Sequence, residues 1–83
     1  MSDIETTPNI GKVLGGRLRH VGIATREDLE QLGDTAAFAK LVQTYPEDAC
    51  THTRLALAGA VRGIRWHDLD ESLRKELAAG LSR

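Results

Sequence analysis

A chain of 83 residues has room for one hydrophobic core and not two, since domains usually run to about 100–150 residues and short chains bury the smaller share of their surface. Its 41% hydrophobic and 28% charged residues are those of an ordinary globular protein, and no apolar run approaches the roughly 20 residues needed to cross a bilayer. The net charge of −1 is far from the strongly basic balance of proteins that hold nucleic acid mainly by charge, and the polar start with Asp3 and Glu5 lacks the basic and apolar parts of a signal peptide.

A cytoplasmic location is therefore the expectation. Cys50 is the sole cysteine, which excludes an internal disulfide and suits a reducing compartment.

Residues 1–8 read as a flexible lead-in that ends at Pro8, and residues 9–83 as the folded domain. Asn9 is a good N-cap for a first helix in which Ile10, Val13, Leu14, Leu18 and Val21 recur at spacings of three and four, gathering on one face. Gly22 stops it. Gly15 and Gly16 each weaken this helix by about 0.8–1 kcal/mol relative to alanine, so it needs tertiary support. Thr25, with Asp28 three residues on, begins a second short helix with a near capping box, from which Leu29 and Leu32 face inward. Gly33 ends it and Asp34 can cap a third helix, which carries Ala37, Phe38, Leu41, Val42 and Tyr45 until Pro46 closes it.

From about Asp48 to Gly63 apolar residues surround the helix axis, leaving a thin polar strip near His52 and Arg62. The small residues Ala56, Ala58, Gly59 and Ala60 let neighbours approach closely, so this is the expected central element, with Trp66 closing the core beside it. Asp70 caps a last helix striped by Leu69, Leu73, Leu77 and Leu81, either an internal packing face or a dimer seam. The fold class is thus all-α, a compact bundle of about five short helices joined by short turns.

Charge is unevenly spread. Thr6 to Arg26 holds Lys12, Arg17, Arg19 and Arg26 without an acid, and Ala49 to His67 holds Arg54, Arg62 and Arg65 without one. The run Pro8-Asn9-Ile10-Gly11-Lys12 opening a helix looks like part of a helix-hairpin-helix element, whose small turn points backbone N–H groups at a phosphate. Asn stands where such a turn has its first glycine, and it tolerates the left-handed conformation needed there. Ile10, Gly11, Lys12, Arg17 and Arg19 are the candidate nucleic-acid residues, with a purely structural turn as the alternative. Arg17 falls within the apolar arc of its helix, where a charge must snorkel, pair with a carboxylate or face a partner. Trp66 and His67 are the candidate protein-partner residues, with a buried ring as the alternative. Cys50 and His52 sit two apart, and His20, His52 and His67 lack the spacing of paired zinc ligands, so no catalytic residue, metal or cofactor is expected.

The segments Pro-Asn-Ile-Gly-Lys-Val-Leu at 8–14, Val-Gly-Ile at 21–23, Tyr-Pro at 45–46 and Gly-Ile-Arg-Trp-His-Asp-Leu at 63–69 together resemble the C-terminal domain of the TfoX (Sxy) competence regulators, over residues 8–81. The resemblance implies a compact helical domain with a helix-hairpin-helix-like N-terminal portion, in bacterial proteins that regulate competence and DNA-uptake genes, and no catalytic activity. Family members often carry a further N-terminal domain, so this chain is expected to be a stand-alone relative. Two functions follow as expectations. One is a protein-interaction domain for a component of the transcription machinery or a regulator. The other is a weak, sequence-independent DNA binder. A monomer or weak homodimer fits either, with no membrane partner.

Overall fold

The computed structural model, which describes residues 3–81, contains five α-helices and three single 3-10 turns, which precede the first, fourth and fifth helices. The helices are α1 (Lys12–His20), α2 (Arg26–Leu32), α3 (Asp34–Thr44), α4 (Thr51–Arg62) and α5 (Glu71–Gly80), and the 3-10 turns are Ile4–Thr6, Pro46–Asp48 and Trp66–Asp68. The all-α bundle expected from the helical periodicity is the observed fold.

The ends of these helices follow local chemistry. Thr25 accepts from the Asp28 backbone N–H while the Asp28 side chain accepts from that of Thr25, which completes a capping box with aspartate in the glutamate role. Gly63, at φ 73°, ends α4 in the left-handed region. Asp70 accepts from Ser72 N–H at the start of α5.

α4 is the shared wall of the molecule, with every residue from Thr53 to Ala60 buried. Leu57 and Ala60 face the larger cluster, where they meet Ile4, Ile10, Leu18, Ile23, Leu29, Ala37 and Leu41. Leu55 and Ala58 face the other way, into a smaller cluster with Leu69 that Trp66, Leu73 and Leu77 cover. The leucine stripe of α5 is therefore used inside the molecule.

Five sequence expectations change. Ile4 is fully buried in the larger cluster and its N–H reaches Ala24 O, so the segment 3–7 belongs to the packed domain although its composition is polar; Met1 and Ser2 lie outside the described residues. The first helix starts at Lys12 with Gly11 as N-cap, not at Asn9, so the stretch Ile10–Gly11 is not yet helical. Val13 then falls on the outer side, 71% exposed, while Leu14 and Leu18 turn inward. Leu32, in the last turn of α2, is likewise exposed. Asp34 stands inside α3, with Gly33 as the N-cap, and its carboxylate holds arginines from α4 instead of capping.

Candidate functional site

The N-terminal turn and the Trp66 segment meet at one residue. Asn9 adopts φ 71°, the left-handed conformation that asparagine accepts more readily than other side-chain-bearing residues. Its Nδ2 donates to Ala56 O at 3.3 Å and Ile64 O at 2.9 Å, and its Oδ1 accepts from the Trp66 N–H at 3.0 Å. Two carbonyl acceptors and one N–H donor leave the amide a single sensible orientation. Gly59 of α4 makes room for this latch, because a Cβ there would meet Asn9 Nδ2 at 2.5 Å and Ile64 O at 2.8 Å.

The residues proposed for phosphate are only partly placed for it. Ile10 is buried, and its N–H donates to Thr7 O at 3.2 Å instead of pointing outward. Gly11 and Lys12 are exposed, and the Lys12 side chain makes no hydrogen bond or ion pair with the described residues. Arg17 leans over the Tyr45 ring, 4.9 Å from its centroid, and donates to Asp48 Oδ1 at 2.7 Å, with Glu47 at 3.9 Å. The hydrogen bond to Asp48 raises its pKa further above the ordinary arginine value; desolvation opposes this, and the charges of Asp48, Glu47 and Tyr45 add to it. Arg19 pairs with Glu5 at 2.7 Å and Asp3 at 3.3 Å. Of the three cations, two are thus neutralised by the chain's own carboxylates.

Around Trp66 the surface is aromatic and mixed in charge. The ring is half-buried between two exposed histidines, His52 at 5.7 Å and His67 at 4.8 Å, both edge-on. A groove of about 290 Å³ runs beside it, with Leu55, Trp66 and Ala78 as its apolar part and Glu71, Arg74 and Lys75 as charged groups. A second groove, about 240 Å³, lies between α1 and the start of α4, where exposed Val13 stands near Leu14, Arg17 and His52. Trp66 and His67 are neighbours in the chain, and the structure sets His52 and Asn9 beside Trp66. Neither pairing was legible, because His52 lies 14 positions and Asn9 57 positions before Trp66, with no shared periodicity.

Among the described residues no group of histidine, cysteine or carboxylate side chains has the arrangement of a metal site. Cys50 is exposed, with its thiol 3.3 Å from Thr53 Oγ1.

Residues 1–81 match the family model described as the TfoX C-terminal domain. Two solved structures are similar over nearly their whole length. An uncharacterized protein from Listeria monocytogenes, in a triclinic crystal form, is 38% identical with a TM-score of 0.87, over 98% of this chain and 94% of that one. A protein of unknown function from the same organism, in a tetragonal form, is 39% identical with a TM-score of 0.87, over 96% of each chain. No curated protein matches the chain.

Proposed function

The chain belongs to the TfoX C-terminal domain family, and from that premise we propose that it is a non-catalytic protein-interaction module acting in the regulation of competence or transcription in the bacterial cytoplasm. Its partner in this reading is a component or regulator of the transcription machinery, bound around Trp66 and His67. The observation that carries the reading is the contrast between the two candidate sites. Arg17 and Arg19 are occupied by Asp48, Glu47, Asp3 and Glu5, so phosphate binding at the N-terminal turn would have to break pairs as short as 2.7 Å and leave those acids facing the nucleic acid. Trp66, by contrast, is half-buried beside an open groove, and an aromatic ring with a mixed polar rim is the usual anchor of a protein interface. No helix among the described residues is long and apolar enough to cross a membrane.

The test has two arms. A photo-crosslinking side chain at His67 should capture a discrete protein from a bacterial extract that the same group at exposed Gln43 does not, and Trp66→Ala should abolish the capture. Fluorescence anisotropy with labelled duplex and single-stranded DNA should show no binding near 150 mM salt. DNA binding that falls steeply with salt and is lost in Lys12→Glu, with nothing captured at His67, would replace this reading with the nucleic-acid one.

A further inference from the structure

Among the described residues, α5 is joined to the other elements by apolar contact alone. Three of the other helices, α1, α3 and α4, have a polar tie to a distant part of the chain. α1 is bound through Arg17 to Asp48 and through Arg19 to Asp3 and Glu5, and α3 is bound through Asp34 and Thr35 to Arg54 of α4. The loop ahead of α2 is reached by the Ile4 N–H at Ala24 O, and α2 itself buries Leu29 in the larger cluster. Among the described residues no hydrogen bond or ion pair connects α5 to another element: the Asp70 cap and the Glu71–Lys75 pair are internal to it. The Nε of Arg74 is buried there without an acceptor, which weakens the contact further.

Its apolar anchorage is also slight. No residue of α5 is fully buried, its main packing partner is α4, and the cluster it covers contains only Leu55, Ala58 and Leu69 as buried members. The larger cluster lies on the opposite side of α4 and includes no residue of α5. Toward α3 the fit is open, because a cleft of about 480 Å³ separates Thr35 and Phe38 from Leu77 and Leu81, with Arg54 also lining it.

We propose that α5 is a detachable strap, which swings off α4 as one unit while α1 to α4 stay folded, and so uncovers Leu55, Ala58 and the buried side of Trp66. The argument does not rest on the binding reading above. Opening costs only the smaller cluster, whereas the larger cluster and all the cross-chain ion pairs are kept. Regions that open below the global unfolding free energy are those with few buried apolar contacts and few polar ties.

Native-state hydrogen exchange on the full chain tests this. The amides of residues 75–80 should share one protection factor at least 100-fold below that of the α4 amides 55–61. A gradient of protection that falls steadily toward Gly80 would mean end fraying instead, and equal protection in α4 and α5 would mean a single cooperative unit; either overturns the proposal. In a Cys50→Ser background, Ala58→Cys should react with a thiol reagent at least 100-fold faster than Ala60→Cys, since Ala58 lies under the strap and Ala60 in the larger cluster. Equal labelling rates would overturn it as well, and the exchange measurement on the unaltered chain stands whether or not the cysteine variants fold.

Discussion

Asn9 and Trp66, 57 positions apart in the chain, are joined by a hydrogen bond of 3.0 Å from the Trp66 backbone N–H to the Asn9 side-chain oxygen. The same amide donates to Ile64 O and Ala56 O, so a single side chain fastens the N-terminal turn to the middle of α4 and to the loop that presents Trp66. Its backbone must take φ 71° to do so. Asn9→Ala removes three hydrogen bonds and keeps a Cβ in the left-handed region, and should lower stability by about 2–3 kcal/mol. Asn9→Gly loses the same bonds but relieves the backbone, and should be more stable than Asn9→Ala by about 1 kcal/mol. Urea denaturation of both variants checks the order, and a reversed order would mean that the backbone conformation is not the constraint.

Gly59 and Gly16 should respond oppositely to alanine. Gly59→Ala sets a Cβ against Asn9 Nδ2, Ile64 O and Trp66 Cα, all within 3.2 Å, two of them backbone atoms. The helix-propensity gain of about 1 kcal/mol is outweighed by overpacking and by disturbance of the latch, giving a net loss of at least about 1 kcal/mol. A Cβ at Gly16, within α1, meets nothing inside 4 Å, so Gly16→Ala should stabilise by about 0.5–1 kcal/mol. Thermal melts of the two variants should move in opposite directions.

The elements that local chemistry governs were legible in the sequence: the Thr25–Asp28 box, the buried character of α4, and the left-handed turn at Asn9. The misses come from pairings between distant residues. Ile4 stands alone among polar neighbours, and nothing local marks it as core. The apolar spacing that runs on from Ile10 points Val13 inward, whereas the helix begins only after Gly11 and its phase is set there. Asp34 has the sequence position of a cap but is claimed by Arg54, 20 residues on, in a contact that periodicity cannot reveal. At the candidate sites the acid-free stretches leave open whether the cations meet a phosphate or a carboxylate of the chain itself. The acids that neutralise them, Asp3, Glu5, Glu47 and Asp48, lie outside the basic stretches and reach them only through folding.

The Asp34–Arg54 pair should be strongly non-additive. Its side chains are 16% and 10% exposed, the N···O distance is 2.6 Å, and Arg54 also donates to Thr35 Oγ1. Asp34→Leu strands a nearly buried guanidinium and should cost about 3 kcal/mol. In Asp34→Leu/Arg54→Met both charges are gone, and the loss should be at least about 1 kcal/mol smaller than the sum of the single losses. A double-mutant cycle by chemical denaturation gives the coupling directly, and an additive result would show that each side chain acts alone.

Arg17 offers a test through pH. Its folded-state pKa is raised, first by the hydrogen bond to Asp48, so the proton is held more tightly in the folded chain than in the unfolded one. The stabilisation that follows is fully present below the unfolded pKa and is lost only as pH rises through the folded value, which lies above the ordinary arginine value. Between pH 6 and 9 Arg17 remains charged in both states. Arg17→Gln should therefore be less stable than the parent chain by an amount that stays constant across this window, whereas Arg17→Lys, which keeps the charge but loses the guanidinium over the Tyr45 ring, should recover part of it. Urea denaturation at pH 6, 7.5 and 9 separates the contributions. A loss that varies with pH would mean that substitution at position 17 alters the titration of another group between the folded and unfolded states, and that the guanidinium is more than a constant charge set between Asp48 and Tyr45.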